Sequence, residues 1–264
     1  MRVSASNIGW KKEYDDVMYA WMRENGVHGL EIAPTRIFET DPYDRCDEAS
    51  EWTDALKGKF GLTVSSMQSI WYGRKENMFS SEQERQILIE YTKKAIDFAH
   101  AIGCGNLVFG CPRNRNVPEG ADKDVAVEFF GILGDYAAKN DTILSMEANP
   151  PLYNTNFCNT TLEAADLVRK VGSRGFGLNL DVGTMIANEE TVEDLKGIGD
   201  MINHVHISEP GLKTIQKRKL HNDLLRILNA AGYDKYISLE IGTQDDTTVV
   251  TDTISYIGDM IEGI

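Results

Sequence analysis

The chain has 264 residues, of which 42% are hydrophobic and 26% are charged, proportions that are ordinary for a globular protein. Its formal net charge of −14 would repel the phosphates of a nucleic acid, so we expect no nucleic-acid partner. No stretch approaches the roughly 20 consecutive apolar residues that span a membrane, and the first residues show no signal-peptide pattern. We therefore expect no membrane segment either.

The four cysteines give a prediction about the cellular compartment. Cys46, Cys104, Cys111 and Cys158 are scattered along the chain, and none forms a CxxC pair. In a chain of this size, such scattered cysteines indicate reduced thiols rather than a disulfide framework. We therefore predict a cytoplasmic protein.

One pattern recurs along the chain: a helical stretch, a glycine or polar break, and then a short apolar run. A glycine after a helix is the usual left-handed stop, and such apolar runs suit strands buried on both faces of a parallel sheet. In chain order, the pattern predicts eight strands, at residues 3–8, 29–33, 62–69, 106–110, 143–147, 177–181, 204–208 and 237–241.

Two of the predicted helices carry clear start and stop signals. Residues 81–103 begin with the capping-box sequence SEQE, and residues 160–172 begin with TTLE; each pattern ends at a glycine. Apolar residues recur at helical spacing inside both stretches, and in the second of them we expect Leu162 to face the core.

Eight strand–helix units in about 250 residues are the expectation for a closed (β/α)₈ TIM barrel of the α/β class. The rival is an open, doubly wound sheet. No GxGxxG or GxxxxGK[ST] sequence opens any of the helices, so the nucleotide-binding loops typical of open sheets are missing. Since no Pro/Gly/Ser-rich linker divides the chain, we predict a single domain over residues 1–264.

A set of reactive side chains ends the last four predicted strands. Glu147, Asp181, His206 and Glu240 each precede a glycine or proline by four residues or fewer. Two residues earlier, on the same face of each strand, stand Ser145, Asn179, His204 and Ser238. The opposite face is apolar in all four strands. We expect the apolar face to meet the helices and the polar face to line the barrel interior near its mouth.

Three carboxylates and one imidazole would then converge. Left unpaired, buried carboxylates repel one another at a cost of several kcal/mol each, and a divalent cation removes that cost. Three oxygen ligands and one nitrogen favour Mn²⁺, Mg²⁺ or Co²⁺, and Zn²⁺ also fits. A single strand-end glutamate is more often a cap or a salt-bridge partner, but four such residues at one level favour a metal site. His204 either orients a ligand or is a plain core histidine.

The chain resembles the xylose isomerase-like barrel family of sugar and sugar-phosphate isomerases and epimerases. The resemblance lies in the order Glu, Asp, His, Glu and in phrases along most of the chain: HGLEIAPTRIF, SSMQSIWYG, LVFGCPRNR, MEANPPLYNTNF, LNLDVGTM, HVHISEPG and SLEIG. It implies that the four residues hold one divalent ion, for which Mn²⁺ is the first candidate. It also implies that Glu147 and Glu240 move a proton next to a carbonyl through a metal-stabilised enediolate.

Other side chains are predicted at the barrel mouth. Gln68 ends the third strand and Trp71 follows it, where an indole face could lie under a sugar or simply pack in the core. Arg113 and Arg115 follow the fourth strand, and we expect one of them to bind a phosphate or carboxylate of the substrate. Glu31 on the second strand is predicted to support the site from beneath.

Two positions depart from the ketose 3-epimerases of this family. Thr184 stands where those enzymes have a histidine, and Leu212 stands where they have an arginine. Both differences weigh against ketose 3-epimerase activity.

Several functions therefore stay open. The substrate could be a sugar, a sugar phosphate or a related polyol. A metal-dependent dehydratase of a cyclitol or keto acid, of the inosose or dehydroshikimate type, and a non-catalytic sugar-binding barrel are the alternatives. A zinc endonuclease of the same family would need more histidines than the five in this chain. Family members often form homo-oligomers.

Overall fold

The computed structural model describes all of residues 1–264 and forms a closed barrel of eight parallel strands in chain order. The strands are β1 (Arg2–Ser6), β2 (Gly29–Ile32), β3 (Thr63–Met67), β4 (Asn106–Phe109), β5 (Ile143–Glu147), β6 (Phe176–Asp181), β7 (Ile202–Ile207) and β8 (Tyr236–Leu239). β8 pairs with β1 and closes the barrel. The predicted (β/α)₈ fold is confirmed, all eight predicted strands are present, and the open sheet is wrong.

Helices surround the barrel and connect its strands. They are α1 (Asp15–Glu24), α2 (Pro34–Ile37), α3 (Cys46–Phe60), α4 (Glu82–Ala101), α5 (Val125–Lys139), α6 (Thr161–Val171), α7 (Val182–Ala187), α8 (Lys219–Ala230) and α9 (Thr247–Glu262). Short 3₁₀ turns occupy several of the connections between them. None of the helices combines the length and the apolar character that crossing a lipid bilayer requires.

The start of α4 matches its sequence signal only in part. The Ser81 hydroxyl accepts a hydrogen bond from the Glu84 amide, as a capping box requires. The Glu84 carboxylate, however, accepts from the Asn77 amide instead of reaching back to Ser81. The first turn of α4 is therefore tied to the loop that follows β3.

The capping box of α6 is complete, and Gly172 ends the helix at φ 63°. The expectation that Leu162 faces the core is wrong, since 47% of its surface is exposed. The buried row of α6 begins one residue earlier, at Thr161, and continues through Ala165 and Val168. A shift of one residue turns a helical side chain by about 100°, which places Leu162 outside that row.

The predicted alternation along β5 to β8 is present. Leu144, Leu178, Val205 and Leu239 point outward and are buried between the barrel and the helices. Their neighbours in sequence point into the barrel, so the interior is polar. This alternation brings the polar side chains of all eight strands into one enclosed space.

Four neutral side chains of the interior hydrogen-bond one another; we call Ser66, Asn106, Ser145 and Asn203 the Asn106 network. The Asn106 amide nitrogen donates to Ser66 Oγ at 2.8 Å. Its oxygen accepts from Ser145 Oγ at 2.5 Å and from Asn203 Nδ2 at 2.6 Å. Lys235 Nζ donates to Asn203 Oδ1 at 2.7 Å. These bonds join β3, β4, β5 and β7 across the barrel without any group from outside the chain.

All four cysteine thiols are unpaired. Cys104 and Cys158 are buried, and Cys46 and Cys111 are partly exposed.

Candidate metal centre

The four predicted ligands meet at the carboxyl ends of the strands. Glu147 is the last residue of β5 and Asp181 the last residue of β6. His206 is the second-last residue of β7, and Glu240 directly follows β8. One nitrogen or oxygen atom of each side chain lies within 4.8 Å of those of the other three. The period-2 alternation of the sequence therefore predicted the position of all four side chains correctly.

The imidazole of His206 has two distinct sides. Its Nδ1 faces the cluster, at 3.1 Å from Glu147 Oε2 and 3.3 Å from Glu240 Oε2. Its Nε2 faces away, at 3.0 Å from Glu31 Oε2. His204 Nε2 lies 3.0 Å from the same Glu31 oxygen, but without the alignment of a hydrogen bond.

Neutral amides hold the Glu147 carboxylate. Asn179 Nδ2 donates to its Oε2 at 2.6 Å, and Asn149 Nδ2 donates to its Oε1 at 3.0 Å. A Cβ atom at position 110 would lie 3.0 Å from Glu147 Oε1, tighter than nearly all real contacts. Gly110 therefore leaves the space that this carboxylate occupies.

Asp181 both ends a strand and begins a helix. Its Oδ1 accepts from the Thr184 amide at 2.6 Å and caps α7, while the Ser208 hydroxyl donates to its Oδ2. The Thr184 hydroxyl donates to the Ala148 carbonyl oxygen at 2.8 Å. Thr184, which stands where ketose 3-epimerases have a histidine, thus makes its hydrogen bonds to other residues of the barrel.

The cluster carries more negative charge than the protein neutralises. Burial, together with the charges of Glu147 and Glu240, raises the pKa of Asp181 to about 7. Burial also raises the pKa of Glu240. Burial opposes the protonation of His206, but the charges of Glu31 and Glu240 outweigh it and raise the pKa of His206 well above its usual value. A divalent cation fits this donor set because it replaces that proton and offsets the repulsion among the carboxylates.

A cavity of about 200 Å³ opens above the cluster. Four carboxylates line it: Glu147, Asp181, Glu240 and Glu209 from the loop after β7. No lysine or arginine lines it. The cavity is therefore strongly acidic, and its wall includes the apolar side chain of Leu212, the residue that replaces the family arginine.

The sequence pattern of the xylose isomerase-like TIM barrel matches residues 19–257, which is most of the chain. The chain belongs to the xylose isomerase-like TIM barrel family. No curated protein sequence gives a significant match, so the family pattern and the shared fold carry the relationship.

Solved structures of similar fold cover nearly the whole chain. A 3-keto-D-glucoside 4-epimerase from E. coli has a TM-score of 0.79 at 17% identity, covering 98% of this chain and 99% of that one. A D-psicose 3-epimerase from Clostridium cellulolyticum H10, solved with D-tagatose, has a TM-score of 0.81 at 14% identity, covering 100% and 99%. The IOLI protein, solved with a zinc atom, has a TM-score of 0.75 at 16% identity, covering 100% and 99%. At these identities the likeness shows the fold.

Of the residues predicted to touch a substrate, Gln68 lines the cavity and Trp71 does not. Only 2% of the Trp71 surface is exposed. Its indole nitrogen donates to Thr92 Oγ1 at 2.8 Å, and its ring packs edge-on against Phe109. Trp71 therefore packs between the barrel and the helices, and the alternative of a floor beneath a sugar is wrong for this structure.

The two arginines predicted to bind an anionic group also lie outside the cavity lining. Arg113 is exposed to solvent. Arg115 is fully buried, and its guanidinium donates to the Glu147 carbonyl oxygen and to Asn149 Oδ1, each at 2.8 Å. Arg115 thus supports the Glu147 backbone and one of the amides that bind the Glu147 carboxylate.

Sequence reasoning missed several residues that line the cavity, among them the polar residues Asn149, Tyr153 and Glu209. Arg218 binds the Glu209 carboxylate through two nitrogens, each at 2.7 Å. The Tyr153 hydroxyl accepts from the Gly211 amide at 2.9 Å. Asn149 follows Glu147 by two residues and Glu209 follows His206 by three, and this closeness in sequence to the strand ends was the available signal.

Proposed function

We propose that this protein is a divalent-metal-dependent isomerase or epimerase of a neutral sugar or related polyol. The observation that carries the proposal is the convergence of Glu147, Asp181, His206 and Glu240 below the acidic cavity. Two similar folds are sugar epimerases, of D-psicose and of 3-keto-D-glucoside, which supports the same class of chemistry here.

These four residues would hold the ion, and Mn²⁺ is our first expectation. Oxygen-rich sites with one imidazole suit Mn²⁺, Mg²⁺ and Co²⁺, and the zinc atom of the IOLI protein keeps Zn²⁺ among the candidates. When bound, a divalent cation polarises a carbonyl and stabilises the negative charge that develops on its oxygen as a neighbouring proton leaves.

Proton transfer falls to Glu147 and Glu240. Each has a carboxylate oxygen next to His206 Nδ1, so the two side chains approach the same point from β5 and β8. One carboxylate removes the proton from the carbon beside the carbonyl, and the other, in its carboxylic acid form, donates its own proton to that carbon from the opposite face to give an epimer. Return to the adjacent carbon gives an aldose–ketose isomerisation.

The charge of the cavity points to a neutral substrate. With a divalent ion bound, the three ligand carboxylates would still leave an excess negative charge, and the lining has no cationic side chain that could bind a phosphate or carboxylate group. The nearest cation to these groups, Arg218, is already paired with Glu209. Sugar hydroxyls suit this lining, because they can donate hydrogen bonds to the carboxylates and to the amide oxygens beside them.

Metal analysis combined with deuterium exchange tests the proposal. The purified protein is compared with Glu240→Gln, His206→Ala and the control Glu209→Gln, which removes a lining carboxylate from outside the ligand set. We expect about one divalent ion per chain. We also expect solvent deuterium to enter a sugar next to its carbonyl. Both should be lost or weakened in the first two variants, and the metal should be retained in the control.

Other outcomes would replace the proposal. No bound metal after addition of Mn²⁺ or Co²⁺ would contradict the site. Metal without deuterium exchange on any sugar or polyol would indicate a non-catalytic sugar-binding barrel. Loss of water from a cyclitol or keto acid would indicate a dehydratase, which shares the proton-removal step. The unpaired cysteines agree with our further proposal that the protein works in the cytoplasm.

A further inference from the structure

A further buried carboxylate lies next to the candidate metal centre without lining the cavity. This carboxylate is Glu31, which has no solvent exposure. It lies on β2, on the side of the barrel opposite the strands that carry the four ligands. A buried carboxylate is costly unless polar neighbours satisfy it. Glu31 has such neighbours, and one of them is the ligand His206.

The two oxygens of Glu31 have different partners. Gln68 Nε2 donates to Oε1 at 3.2 Å, and the same Gln68 nitrogen donates to Ser6 Oγ at 2.7 Å. Oε2 lies 3.0 Å from His206 Nε2 with hydrogen-bond geometry. The hydrogen bond from Gln68 holds the Glu31 carboxylate in place. Of the two His206 nitrogens, that carboxylate contacts Nε2, the one that faces away from the cluster.

A neutral imidazole carries one proton, so a nitrogen that binds a metal leaves the proton on the other. Nδ1 of His206 faces Glu147 and Glu240, whereas Nε2 faces Glu31. The His204 ring stands edge-on to the His206 ring, with centroids 5.3 Å apart and planes at 88°. This contact restrains rotation of the His206 ring.

We propose that Glu31 is a positioning residue that holds the proton of His206 on Nε2 and so presents Nδ1 to the metal. The inference rests on the proposed function only in taking Glu147, Asp181, His206 and Glu240 as the ligand set. It adds that a carboxylate on β2, outside the cavity lining, sets the tautomer and the orientation of the single nitrogen ligand.

Nitrogen-15 NMR of imidazole-labelled protein tests this inference without any sugar. Zn²⁺ is the probe because it is diamagnetic. The variants are Glu31→Gln, which keeps the shape and removes the charge, and His204→Gln, which leaves the Glu31–His206 bond in place. The matched control is Ser238→Ala, since Ser238 is fully buried in the interior and its hydroxyl has no hydrogen-bond partner.

In the wild type we expect a zinc-bound Nδ1 and a protonated, slowly exchanging Nε2 for His206. Glu31→Gln should lower zinc affinity by about 10- to 100-fold and speed the exchange of the Nε2 proton. His204→Gln should have a smaller effect, and Ser238→Ala should bind zinc like the wild type. The wild-type spectrum tests the tautomer even if Glu31→Gln does not fold.

Two results would overturn the positioning role alone: zinc bound through Nε2 of His206, or a Glu31→Gln variant with wild-type zinc affinity and proton exchange. A wild type that binds no zinc at all would overturn the ligand set as well. A wild type that binds zinc through Nδ1 but exchanges no deuterium into any sugar would leave the role of Glu31 standing and would contradict the proposed function.

Discussion

The barrel interior contains two polar clusters that solve the burial of polar groups in opposite ways. In the Asn106 network, amide and hydroxyl groups form hydrogen bonds with one another, so each group finds its partner within the chain. In the candidate metal centre, three carboxylates surround one imidazole, and burial together with the charges of the other two carboxylates raises the pKa of Asp181 to about 7. The two clusters lie in the same barrel, on some of the same strands.

The difference separates stability from function. A neutral, fully bonded cluster stabilises the fold, because removing any member leaves its partners unsatisfied. A cluster with excess charge of one sign destabilises the fold until a cation binds. Such a cluster therefore indicates a functional site that uses the cation. Substitutions in the two clusters should therefore change different measurements.

The largest effect should come from Glu147→Gln in the metal centre. The amide keeps the shape of the side chain but cannot accept the substrate proton, so deuterium exchange into the substrate should slow by about 10²- to 10⁴-fold. Mass spectrometry of the recovered sugar measures the rate. Asn106→Ala is the control, and its exchange rate per folded molecule should match the wild type. A loss of less than tenfold in Glu147→Gln would assign the proton transfer to another group.

Asn106→Ala should have the next largest effect, on stability. It removes three hydrogen bonds at once and leaves Ser66, Ser145 and Asn203 without these partners, which should lower the free energy of unfolding by about 3 kcal/mol. Urea denaturation measures this loss. Metal affinity should not change. An unaltered unfolding midpoint would show that water replaces the side chain at no cost.

Asp181→Asn should stabilise the metal-free protein at neutral pH. Since the pKa of Asp181 is about 7 in the fold and near 3.8 otherwise, the folded state holds a proton that the unfolded state has lost between these values. The wild-type stability attributable to Asp181 therefore falls as pH rises through this window. The variant should exceed the wild type by about 2 kcal/mol at pH 8.

The pH dependence of that difference is the check on Asp181. Urea titrations with a chelator at pH 5 and pH 8 should show the advantage of Asp181→Asn growing with pH. The asparagine keeps an oxygen for the Thr184 amide, so the cap of α7 is retained. An advantage that is constant with pH would mean that Asp181 is not titrating in the fold.

Trp71→Phe should have the smallest effect. It serves as a comparison because Trp71 lies outside both polar clusters. The change removes the bond to Thr92 and some packing, so the loss of stability should be about 1 kcal/mol. The KM for the substrate should not change. A tenfold rise in KM would show that the indole reaches the substrate after all.

The sequence predicted which four side chains would converge, because strands impose a fixed rule. Side chains two apart share a face, and the apolar partners of Glu147, Asp181, His206 and Glu240 showed which face is outward. The same rule placed Glu31 in the interior. These positions depend only on backbone periodicity, which a single sequence displays.

The loops follow no such rule, and there the predictions for Trp71 and Arg115 failed, whereas Gln68 does line the cavity. Ser69 and Cys111, just before Trp71 and Arg115, adopt left-handed backbone angles with φ of 55° and 42°. Such angles are uncommon for residues other than glycine, and they redirect the chain that follows. Trp71 is thereby turned into the core, and Arg115 is turned beneath Glu147. No residue pattern signals these turns.

The direct junction of β6 and α7 has a consequence for engineering this barrel. The predicted ligand Asp181 is the last residue of the strand and the cap of the helix, so no loop residue lies between them. An insertion there would displace its carboxylate from the cluster. The connections after β3 and β7 each exceed ten residues and contain none of the four predicted ligands. Loop grafting to change specificity should therefore use those two connections and leave the junction at Asp181 intact.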